Sequence, residues 1–186
     1  MQVSCNCQTE TNNNMKHILS LFFILTFSCV FSQNLTLEEI VILRNKQFQD
    51  VKELLLSKNW EIMHDHYSDE YKFGDTRFAF DKNNTDKQIP TYITLYHESN
   101  EISKNRIEFS LLNKEKFESY LAQLKTSDFK YINSKLDVNY TTEIYKNATT
   151  TIEVQTMPVE NYYGKQQTFY SFLIIDNNYI KTEYKF

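Results

Sequence analysis

The sequence predicts an α+β protein: an antiparallel sheet with helices on one face, in an order that allows two αββββ repeats. Three observations carry this. Two segments repeat their apolar residues at helical intervals, eight others alternate with period two, and the order is one helix then four strands, twice. Sheet with helices segregated to one side is the arrangement that buries such patterns.

The first helix is expected over residues 37–57. Thr36 precedes it and Glu39 follows three residues later, which is capping-box spacing. Leu37, Ile40, Val41, Phe48, Val51 and Leu55 then form one apolar stripe. The second helix is expected from Lys114 to Lys125, capped by Asn113, with Phe117, Tyr120, Leu121 and Leu124 as its apolar face. WEIMHDHY, TRFAFD, TYITLYHE and RIEFSLL read as four strands after the first helix. FKYINSKL, NYTTEIYKN, TTIEVQT and TFYSFLIID read as four after the second. Turn formers lie between them, among them Gly74, Pro90, Asn139, Pro158 and Gly164. A shift of 69 residues lays Phe48 on Phe117, Val51 on Tyr120, Leu55 on Leu124 and Trp60 on Phe129. Duplication, with repeats 36–112 and 113–176, and coincidence of two similarly patterned segments both account for this match.

Residues 1–32 read as an N-terminal extension and signal peptide, and 33–186 as a single domain. KHILSLFFILTFSCVFSQ has Lys16 and His17 ahead of a 14-residue apolar run, Ile18 to Phe31, followed by small residues. A membrane-crossing helix needs roughly 20 predominantly apolar residues. Cleavage is therefore expected between Ser32 and Gln33, with Met15 or Met1 as the start and a periplasmic or extracellular destination. Cys29, preceded by Ser28, offers acylation as the alternative, and only then would the chain meet a membrane. Cys5, Cys7 and Cys29 all precede the cut, so the mature chain would carry no disulfide or thiol nucleophile.

Composition removes whole classes of function. The net charge is −4, with Glu10 and Lys16 cancelling in the removed part, and no stripe of Lys and Arg suggests nucleic acid as a partner. Only Gly74 and Gly164 occur, so phosphate-cradling glycine loops and the G-x-S-x-G elbow are absent. Asn-x-Thr triplets at Asn34, Asn83, Asn139 and Asn147 are what a chain rich in Asn and Thr produces by chance. The pairs Glu38–Glu39 and Asp69–Glu70 suit a helix N-terminus and a solvated turn better than a glycosidase cleft.

Strict alternation places Trp60, Ile62, His64 and His66 on the helix-covered face, with Phe78, Phe80, Ile93, Leu95 and His97. The opposite face collects Glu61, Met63, Asp65, Tyr67, Arg77, Asp81, Tyr92, Thr94, Tyr96, Arg106 and Glu108. Tyr67, Tyr92 and Tyr96 are the candidate binding residues there, because tyrosine combines rigid area with a polar tip. His64, His66 and His97 are the candidate metal ligands, for Zn²⁺ or Cu²⁺ with Asp69 or Glu70. Histidines two apart on a strand lie about 7 Å apart, and His97 would reach them across one intervening strand.

The order of elements across residues 36–176 resembles that of β-lactamase-inhibitor-protein-like exported proteins, built from two helix-plus-sheet repeats. The resemblance implies a binding protein and carries over no individual residue; the family's disulfides have no counterpart in the mature chain. The leading expectation is a small exported, non-catalytic module that binds a protein or envelope component, of inhibitor or immunity type, without a cofactor. Its rivals are a metal-binding protein or small hydrolase using the three histidines, and a structural envelope lipoprotein.

Overall fold

A single antiparallel sheet organises the chain, in the order β1-β2-β3-β4-β8-β7-β6-β5. The computed structural model describes residues 35–68, 73–80, 91–98, 104–160 and 163–179. The expected signal with Cys29, the Asp69–Glu70 pair, Asp81 and the triplets at Asn34 and Asn83 lie outside them. The strands are β1 (Trp60–Ser68), β2 (Phe73–Phe80), β3 (Thr91–Glu98), β4 (Arg106–Leu111), β5 (Lys130–Leu136), β6 (Thr141–Lys146), β7 (Thr150–Glu160) and β8 (Gln166–Asp176). Each half of the chain is a four-strand meander, and the two meet where β4 pairs with β8. All eight expected strands are present, and the α+β class with helices packed on the sheet holds.

Among the described residues the covering layer is supplied by α1 (Leu37–Leu43), α2 (Phe48–Ser57) and α3 (Lys114–Thr126). Thr36 and Glu39 form the capping box, with Glu39 N donating to Thr36 Oγ1 at 3.2 Å and Thr36 N to Glu39 Oε2 at 2.7 Å. Asn113 caps α3, accepting from Lys116 N at 2.8 Å. Asn59, at φ 62°, turns the chain from α2 into β1, a conformation that asparagine tolerates better than most residues.

The single helix expected over 37–57 is two. The break falls between Leu43 and Phe48, with Gln47 extended as the N-cap of α2. Arg44 explains its position: it stands four residues from both Ile40 and Phe48, inside the apolar stripe. A guanidinium there must be paired to be buried. Arg44 reaches Asp176 at the end of β8 at 2.9 Å, the two side chains only 3% and 15% exposed. Asn105 holds the same connection by donating to the Lys46 carbonyl at 3.2 Å. Lys58, at the end of α2, ties back to Glu39 of α1 at 2.8 Å.

The core lies between the helices and the sheet, and a large part of it sits over β4 and β8. Phe109 faces Phe172 and Ile107 faces Ile174 across the junction, all essentially without solvent contact. From α3, Phe117 stacks on Tyr170 at 4.1 Å and Tyr120 meets Phe109 edge-on at 4.8 Å. The Tyr120 hydroxyl donates to the Leu35 carbonyl at 2.7 Å, and burial pushes its pKa up to about 12. In contrast, every residue of β5 is exposed.

The Arg44–Asp176 pair yields a direct test. Asp176→Ala leaves a buried guanidinium uncompensated and should cost about 3–5 kcal/mol in urea unfolding. Adding Arg44→Met should recover most of that loss, because the two effects are coupled. Equal, additive losses from the two substitutions would contradict the pairing.

Candidate functional site

The face of the sheet away from the helices is the candidate site, and a bulge in β1 decides which residues reach it. Ile62 pairs with Phe78, but His64 pairs with Arg77, leaving Met63 as an extra residue. A bulge of this kind reverses the alternation beyond it. Trp60 and Ile62 face the helices as expected. His64 and His66 then turn to the open face, and Asp65 and Tyr67 turn to the helix face. The sequence carried a trace of this: Ile62 and Met63 are adjacent apolar residues in an otherwise alternating run.

The three histidines are accordingly not brought together. His64 and His66 stack in parallel with their centroids 6.3 Å apart, on either side of Asp75. His64 Nε2 lies 3.5 Å from Asp75 Oδ2, and His66 Nδ1 lies 3.7 Å from Asp75 Oδ1. His97 is on the helix face, stacked on Phe48 of α2 at 4.4 Å with Tyr67 at 6.0 Å. Among the described residues no three His, Cys, Asp or Glu side chains converge as they stand to hold a metal ion.

His97 explains one of the two glycines. A Cβ on Gly74 would lie 2.6 Å from His97 Cε1 and Nε2 and 2.9 Å from the His66 carbonyl. Glycine lets the imidazole lie flat across β2. Beside it, Thr76 donates to Asp65 at 2.8 Å, and Lys52 of α2 stands 3.9 Å from the same carboxylate.

Tyr92 and Tyr96 do occupy the open face together, without Tyr67. The Tyr96 hydroxyl donates to Glu108 Oε2 at 2.9 Å, and Ser171 of β8 donates to Glu108 Oε1 at 3.1 Å. Burial, reinforced by Glu108, pushes Tyr96 up to about 12. Arg106 lies over three rings, Tyr96 at 5.1 Å, Tyr179 at 5.4 Å and Phe73 at 5.9 Å. Arg77 lies over Tyr92 at 5.9 Å and donates to Thr94 Oγ1 at 3.2 Å. The surface is a lattice of guanidinium groups and aromatic rings fixed by cross-strand contacts. It offers rigid contact area.

Two concavities were not legible from the sequence. One, of about 600 Å³, lies on the open face over β5, β6 and β7, and is lined by Ile132, Lys135, Ile144, Lys146 and Glu153 among others. Burial raises the Glu153 pKa there, with Lys135 opposing. The other, of about 630 Å³, lies between α1 and the end of α3, beside Val41, Gln123 and Phe129. Both are assembled from residues distant in sequence, so no local pattern announces them.

Comparison with known proteins finds no matching family model, no matching curated protein and no matching solved structure.

The His97 environment sets a pH dependence. Burial lowers its pKa below the ordinary 6.5, and Nε2 has no hydrogen-bond partner among the described residues, although Asp65 and Asp75 oppose the shift. The unfolded chain therefore takes up the proton first. Stability should be highest above 6.5 and fall as the pH drops below it, levelling once His97 is charged in both states. Glu153, raised by burial, contributes in the opposite sense, so the informative quantity is the difference from His97→Phe. That variant should lose the decline between neutral pH and pH 5 in chemical unfolding. Parallel profiles for the two proteins would contradict the assignment.

Proposed function

We propose that this protein is an exported, non-catalytic binding module that engages a protein or envelope component through the open face of its sheet. The observation that carries the reading is the pre-ordered surface of Arg77, Tyr92, Tyr96 and Arg106, which no described helix covers. Arginine and tyrosine are the side chains that most often anchor protein interfaces, and here their rotamers are restrained before any partner arrives. The likeness in element order to β-lactamase-inhibitor-protein-like exported proteins agrees with an inhibitor or immunity type of role. Export rests on the Lys16–Gln33 segment; no helix among the described residues is long and apolar enough to cross a membrane.

Cross-linking in the exporting cell tests the proposal. A partner captured by the native chain should be retained at least about tenfold less by Tyr92→Ala and by Arg77→Glu, as expected for interface anchors. Tyr67→Ala, on the opposite face, should leave retention intact. Loss with Tyr67→Ala alone would place the contact on the helix face and overturn the reading.

A further inference from the structure

We infer that His64, His66 and Asp75 form a site for a divalent transition-metal ion such as Zn²⁺, on the open side of edge strand β1. The bulge at Met63 creates the arrangement by turning both imidazoles toward the open face, where Asp75 projects from the neighbouring strand. It supplies two nitrogens and a carboxylate, a donor set that suits Zn²⁺ or Cu²⁺.

The distances leave the donors without close direct pairing. At 3.5 and 3.7 Å, the imidazole nitrogens are too far from the Asp75 oxygens for hydrogen bonds. Two donors bound to one tetrahedral Zn²⁺, with bonds of about 2.0–2.2 Å, stand roughly 3.3–3.4 Å apart. The ligands are not converged as they stand: the two rings lie nearly parallel with centroids 6.3 Å apart, and both imidazoles must turn about their side-chain torsions to bring a nitrogen onto one ion. His64 and His66 are free to make these turns, since their side chains are 58% and 59% exposed.

The surroundings permit an added positive charge. Arg77, opposite His64 in register, is drawn away by Thr94 and the Tyr92 ring. Lys52 lies on the other side of the sheet with Asp65. Among the described residues β1 has no neighbouring strand beyond it, which leaves a remaining coordination position for water. Ligands that must rotate to close bind more weakly than a pre-formed structural zinc centre. His97 takes no part.

Isothermal titration of the purified protein with Zn²⁺ in a non-chelating buffer tests this. One equivalent should bind saturably, and His64→Ala, His66→Ala and Asp75→Asn should each weaken binding by about tenfold or more. His97→Gln, with its fold verified by circular dichroism, should bind as the native chain does. In ¹⁵N spectra, Zn²⁺ should shift the ring nitrogens of His64 and His66 and leave those of His97 in place. Absence of saturable binding, or equal binding by the His64→Ala/His66→Ala double variant, would overturn the site. Perturbation of His97 alone would do the same.

Discussion

The pairing of β4 with β8 is the contact on which the rest of the molecule depends. Each four-strand meander could bury little by itself, because a lone sheet of that size exposes one face and two edges. Joining them back to back makes one sheet whose centre is shielded by strands on both sides. The aromatic cluster of Phe109, Phe172, Tyr170, Phe117 and Tyr120 sits over that junction. Because α3 belongs to the second half and Phe109 to the first, the cluster binds the halves together through side chains as well as backbone. Below the junction, on the open face, Glu108 and Ser171 repeat the link in polar form.

This arrangement sends β1 and β5 to the two edges, and both carry the same correction. A bulge follows the third residue of each corresponding segment, at Met63 in β1 and at Ile132 in β5, 69 residues apart. That spacing is the one that aligns Trp60 with Phe129 and α2 with α3. Bulged edge strands resist pairing with other chains, so the feature has a protective value in each half. In β1 it has a further effect, since it also chooses which histidines and tyrosines reach the open face. The halves are not identical: α1 precedes the helix-plus-four-strand unit of the first, its neighbour Arg44 pairs across to Asp176 of the second, and β5 lacks the cover that β1 receives from α2.

Much of this was legible in the sequence, and the failures have identifiable causes. The strands, the capping box at Thr36 and the Asn113 cap follow from local chemistry within a few residues, and the structure reproduces them. The helix break was missed because periodicity weighs apolar positions and overlooks one charged residue among them. Arg44 acquires its meaning only from Asp176, far along the chain. Strict alternation misses the reversal of the HDH segment because it runs through Ile62–Met63 as though the strand were regular. His97 was placed on the correct face. Its distance from His64 and His66 is a consequence of the bulge, as is the loss of Tyr67 from the tyrosine surface. Tyr92, Tyr96, Arg77, Arg106 and Glu108 lie on regular strands, and alternation assigned each of them correctly.

The functional reading inherits its strength from the continuity of the sheet, because a surface spanning β1 to β8 is rigid only if the junction holds. Hydrogen–deuterium exchange of the backbone amides tests that continuity most directly. The amides of Ile107, Phe109, Phe172 and Ile174 should be the last to exchange, at the rate set by global unfolding. Earlier exchange at these positions than in β2 or β7 would mean that the halves open independently, and a single rigid binding face would then be untenable.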